Sequence, residues 1–116
     1  MMERLEHHRH LTHYRIAVQH PDVSGFETLD TLMTRDKLLQ QDAVLTSEEK
    51  AQLAIADQQL LARANKFYAE LALITNLEYE RQQRKPTPAQ WWWYLDVLLQ
   101  LPAVPATLST PTLTLA

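Results

Sequence analysis

The stretch TSEEKAQLAIADQQLLARANKFYAELALITNLEYERQQR, residues 46–84, decides the fold. Thr46-Ser47-Glu48-Glu49 has the form of a capping box, with acids where the positive end of a helix favours them. Neither glycine nor proline follows before Pro86. At about 100° per residue, Leu53, Leu60, Ala64, Phe67, Leu71 and Ile74 fall on one stripe. Leu61, Tyr68 and Tyr79 widen it, and Gln58, Arg63, Lys66, Ala69 and Glu70 occupy the other side. The pattern predicts one helix over 47–84, roughly 45 Å or more in length at about 1.5 Å per residue. Such a helix outruns a small core, so its far end, at Leu73 and Leu77, needs an extra contact.

On the N-terminal side, Ser24-Gly25-Phe26-Glu27 offers another helix start. Phe26, Leu29, Leu32, Met33 and Leu39 then share a face, and the helix ends near Gln40. Asp36 lies within that face and requires a polar partner or a frayed turn. Residues 3–10 read as helix. Residues 11–19 fit either period: Thr12, Tyr14, Ile16 and Val18 alternate, whereas Leu11, Tyr14 and Val18 suit a helix. His20-Pro21 ends the element in both cases.

On the C-terminal side, Thr87-Pro88 reads as cap and first helical residue of a helix reaching Leu101. It carries Trp91, Trp92, Trp93 and Tyr94, and apolar side chains cover more of it than the stripe a single core needs. The surplus, notably Trp93 and Val97, faces the protein's own core, a partner or lipid. The segment 107–116, with Thr and Leu alternating at its end, reads as an extended tail. The expected architecture is an all-α bundle: a hairpin of residues 25–40 against 47–84, with the Trp helix packed across it. One domain spans 1–106, with short extended segments allowed at both termini.

Composition narrows the function. The chain has 116 residues, 46% hydrophobic and 22% charged, a globular balance that argues against global disorder. With no cysteine, it can hold no disulfide, thiolate nucleophile or zinc–thiolate site. Its polar beginning lacks the apolar core of a signal peptide, which together with the missing cysteines favours the cytoplasm. A single glycine excludes a Gly-rich nucleotide loop. A net charge of −3 gives no footprint for nucleic acid.

Four features could carry function. Trp91, Trp92, Trp93, Tyr94 and Val97, with Leu73 and Leu77, form the expected partner-binding surface of a non-enzymatic adaptor, assembly factor or small subunit. Self-association as a two-fold homodimer fits the same surplus. His7, His8, His10 and His13 offer imidazoles for a divalent transition metal, the alternative function. Arg81, Arg84 and Lys85 before the aromatics suggest a peripheral membrane contact, although Asp96 and Pro102 oppose a span. Asp57, inside the apolar stripe, calls for an arginine or histidine from another segment. No motif for catalysis or a cofactor occurs.

Overall fold

A computed structural model describes the backbone of residues 2–101 and the side chains from Glu6 onward; the segments 102–106 and 107–116 lie outside the described residues. Within residues 2–101 the chain is all-α. The helices are α1 (Met2–Ala17), α2 (Gly25–Gln40), α3 (Ser47–Ala62), α4 (Ala64–Leu71), α5 (Leu77–Arg84) and α6 (Leu95–Gln100). Short 3-10 turns occupy Asp42–Val44 and Trp91–Tyr94.

The ambiguous segment 11–19 is helical through Ala17. Its burial explains why: His7, Leu11, Tyr14 and Val18 are buried at helical spacing, while Thr12 and Ile16, which a strand would have put beside Tyr14, are exposed.

Leu53, Leu60, Ala64, Phe67 and Leu71 of the 46–84 stripe are buried as its period predicts, with Ile74 and Tyr68 half-buried, but Leu61 and Tyr79 are exposed and the helix is not continuous. Thr46 and Glu49 form the reciprocal capping box that starts α3, with bonds of 3.1 and 2.9 Å. The first interruption is at Arg63, whose backbone leaves helical geometry (φ −112°, ψ 20°). Its Nη1 donates to the Val18 carbonyl at the end of α1, 3.2 Å away. The break separates two packing partners: α3 lies against α1, whereas α4 lies against α2 and α6. A second break spans 72–76, where Asn76 accepts from the Tyr79 amide at 2.7 Å and caps α5. Lys85, in left-handed geometry (φ 51°), and Pro86 end α5.

Helix α2 is the centre of the bundle, touching α1, α4 and the Trp turn. The expected hairpin is therefore corrected: α2 pairs with α1 and α4 rather than along all of 47–84. Its buried face is also different. Thr28, Thr31, Leu32, Arg35 and Leu38 point inward, while Phe26 is 70% exposed and Met33 and Leu39 are each 37% exposed. The Thr31 hydroxyl donates to the Glu27 carbonyl at 2.9 Å, and Thr34 does the same to Asp30. Bonding to their own helix lets these threonines be buried at low cost.

Gly25 sits where the start of α2 meets the end of α4. A Cβ there would lie 2.4 Å from the Glu70 carbonyl oxygen and 3.0 Å from Ile74 Cγ1. Helix propensity favours alanine over glycine by about 1 kcal/mol, but collision with a backbone oxygen outweighs it. Gly25→Ala is expected to destabilise the protein by about 1–3 kcal/mol. Urea unfolding of the two proteins measures this, and a rise in stability would show that α2 and α4 are not packed this closely.

Candidate interaction surface on an anchored tryptophan turn

The sequence WWWY does not form the middle of a regular helix. The Gln90 amide donates to the Thr87 carbonyl at 2.9 Å, and the Thr87 amide donates to Gln90 Oε1 at the same distance. After this turn, Trp91–Tyr94 is 3-10 and only Leu95–Gln100 is α-helical. The reason is tertiary. Trp92 Nε1 and Trp93 Nε1 both donate to Asp36 Oδ1 of α2, at 2.8 and 2.9 Å, and Gln90 Nε2 joins them at 3.0 Å. Bringing two consecutive indoles and a glutamine onto one carboxylate fixes the local geometry. Asp36 thus has the polar partner its place in an apolar face demanded.

Arg35, the preceding residue of α2, serves the opposite side. Its Nε and Nη2 donate to the two oxygens of Asp57 on α3, each at 2.9 Å. The Tyr14 hydroxyl on α1 donates to Asp57 Oδ1 at 2.6 Å. The guanidinium also lies over the Trp92 ring, 4.3 Å from its centroid, at cation–π distance. Asp57 therefore has the arginine its burial called for. Burial pushes the Tyr14 hydroxyl far above its ordinary value, and the Asp57 charge adds to this. Tyr14 consequently remains a donor throughout the working pH range.

These anchors sort the sequence-predicted partner residues. Trp92, Trp93 and Leu77 are core residues at 0%, 0% and 1% exposure. This corrects their assignment to a docking surface: their indole N–H groups and apolar faces are satisfied within the subunit. Leu73 is 77% exposed. Trp91 and Tyr94 are half-buried and Val97 is exposed; with Pro88 and Leu98 they line an apolar surface groove of about 330 Å³. Trp91 meets Trp92 edge-on, with centroids 5.5 Å apart. Tyr94 is held from below: its hydroxyl donates to the Pro86 carbonyl at 3.3 Å, and the Arg81 guanidinium lies 5.0 Å from its ring centroid.

Of the basic group expected beside the aromatics, Arg81 and Arg84 pair with carboxylates, while Lys85 is exposed. Arg81 donates to Asp96 Oδ1 at 2.7 Å and to the Trp93 carbonyl at 2.8 Å. Arg84 pairs with Glu80 at 2.9 Å and lies over Trp93, 4.5 Å from its centroid. None of the described helices is long and apolar enough to cross a membrane.

The histidines diverge. His7 is buried with Nε2 3.2 Å from Glu49, His10 meets Gln41 at 3.1 Å, His13 meets Asp30 at 3.0 Å, and His8 is exposed. Among the described residues no three histidine or carboxylate groups converge as metal ligands. The proposed ligand set His7, His8, His10 and His13 is corrected accordingly: one helix turns successive imidazoles towards different neighbours. His13 instead lines a second groove of about 200 Å³, with Ile16, His20, Glu27 and Asp30.

Neither a family model nor a curated protein or solved structure matches this chain, so its residues alone carry the functional reading.

Removing the acceptor for two buried indoles is expected to destabilise the fold. Asp36→Ala should cost about 2–4 kcal/mol, with each orphaned donor contributing about 1–3 kcal/mol. Denaturant unfolding, followed by Trp fluorescence, measures the loss; near-wild-type stability would remove Asp36 as the anchor. Trp93→Ala should likewise unfold the protein rather than merely weaken association.

Acid should destabilise the protein through two carboxylates. Burial alone would raise the Asp96 carboxyl, but the Arg81 hydrogen bonds and charge, with the Val97 and Asp96 amides, hold it below its ordinary value. The Thr46 amide and the His7 charge lower Glu49 against its own desolvation. Groups depressed in the folded state bind more protons when unfolded, so they stabilise above the unfolded carboxylate range. That contribution is lost as pH falls through the folded values, below about pH 4. Asp96→Asn should flatten the acid limb of a melting-temperature profile between about pH 5 and 2; an unchanged slope would remove Asp96 from the linkage.

Proposed function

We propose that this protein is a non-enzymatic interaction protein, an adaptor, assembly factor or small subunit, that docks a polypeptide segment in the groove of Pro88, Trp91, Tyr94, Val97 and Leu98. The groove itself carries the reading. It offers exposed aromatic and aliphatic surface on a backbone pinned by Asp36, Arg81 and the Pro86 carbonyl. A pre-organised apolar groove loses little entropy on binding, and Trp and Tyr dominate interface energetics. Its lining has no charged side chain, so the fitting partner is a neutral aliphatic or proline-containing segment. The cysteine-free composition supports the cytoplasm as the compartment.

Val97 is exposed, so Val97→Asp should leave thermal stability within about 0.5 kcal/mol of wild type. It should weaken docking by roughly tenfold or more through a desolvated charge. Proteins retained by the wild type but not the variant can be identified and the complexes rebuilt from purified components, while light scattering follows self-association. If Val97→Asp leaves both properties untouched, the groove is not the working surface.

A further inference from the structure

We infer that the occupant of this groove is the segment Pro102-Ala103-Val104-Pro105 of a second copy of the chain. The inference rests on the docking role proposed for the groove and names its partner.

The lining is of the kind that receives polyproline-type segments. Trp91, Tyr94 and Pro88 present flat apolar faces, a surface on which extended proline-rich peptides dock. Immediately after α6 the chain supplies such a segment. Pro102 and Pro105 are three residues apart, and a polyproline II helix has about three residues per turn, so both would present to one face. From Pro102 to Ala116 there is no charged side chain, matching the uncharged groove. The approach is already set in the described backbone: Leu101 has φ −73° and ψ 148°, close to polyproline II geometry of about −75° and +145°. The proline after it accounts for this, since a residue before proline avoids the helical region.

The same geometry selects a second copy over the chain's own groove. Trp91 and Tyr94 lie at the N-terminal side of α6, while Pro102 leaves from its C-terminal end. Leu101, the last described residue, is extended and does not turn back over α6 as a helical residue would. The segment contains no glycine to ease a sharp reversal. A neighbouring molecule has no such constraint. Reciprocal exchange, each copy giving its segment and receiving the other's, closes as a two-fold dimer.

Because the chain has no cysteine, Ala106→Cys takes a single nitroxide label. Isotope-labelled wild type is mixed with unlabelled, spin-labelled Ala106→Cys, and the Trp91 indole and Val97 methyl signals are followed. The expected result is their broadening in this mixture. Joint Pro102→Ala and Pro105→Ala substitution should remove it and weaken self-association by roughly tenfold. Broadening that requires label and isotope in the same chain would assign the groove to the chain's own tail and overturn the second-copy inference. Absence of broadening in both samples would overturn it as well. If Val97→Asp disrupts docking while the proline variant does not, only the occupant assigned here falls; if Val97→Asp changes nothing, the docking role itself falls.

Discussion

The Asp36 carboxylate, receiving the N–H groups of two consecutive tryptophans, is the interaction on which the rest of the structure depends. A charge placed among apolar residues costs several kcal/mol unless its lone pairs are occupied. Here three donors occupy them, from Trp92, Trp93 and Gln90. In return, each indole buries roughly 150–250 Å² while its one polar atom remains bonded. The arrangement ties a segment more than fifty residues away in sequence to the middle of α2. It sets the direction of α6, and therefore where the groove opens.

Around this anchor a motif repeats. Trp92, Trp93 and Tyr94 are covered by Arg35, Arg84 and Arg81. Those arginines are paired in turn with Asp57, Glu80 and Asp96. A guanidinium between a carboxylate and a ring meets two complementary fields at once, and the planar forks of Arg35 and Arg81 each hold their carboxylate in two bonds. Three arginines are thereby engaged in structure; two of them, Arg81 and Arg84, belong to the basic run before the aromatics, of which Lys85 is exposed. Trp91 is held differently, edge-on against Trp92, and its remaining surface lines the groove. Of the four consecutive aromatics, Trp92 and Trp93 complete the core, while Trp91 and Tyr94 are half-buried and line the groove.

Periodicity revealed the helical class, the starts at Ser24 and Thr46, and the apolar stripe from Leu53 to Ile74, because those features depend on local spacing. It also marked Asp36 and Asp57 as acids needing partners. Their partners come from segments distant in sequence, which spacing cannot identify. The break at Arg63 has no glycine or proline to announce it; it follows from the change of packing neighbour between α3 and α4. The break before α5 did carry a signal, Asn76 ahead of Glu78 and Glu80, that a cap search could have found. The buried face of α2 was misread because hydrophobicity ranks Phe26 and Met33 above Thr31 and Thr34. A threonine bonded to its own helix can pack more closely than a large apolar side chain at the same place.

A groove lined by Pro88, Trp91, Tyr94, Val97 and Leu98 is small beside a stable protein interface, which typically engages roughly 20–30 residues a side. One extended segment laid across it would give a modest affinity. Two-fold exchange changes the arithmetic without adding any new kind of contact, because the second segment binds within an already formed pair at high effective concentration. A scaffold whose aromatic residues are pinned by carboxylates, and whose last helix ends at an extended Leu101, would reduce the ordering cost of such a contact. The strength of association would then lie in symmetry and pre-organisation rather than in area, which is consistent with so small a domain devoting three arginines and an aspartate to fixing one turn.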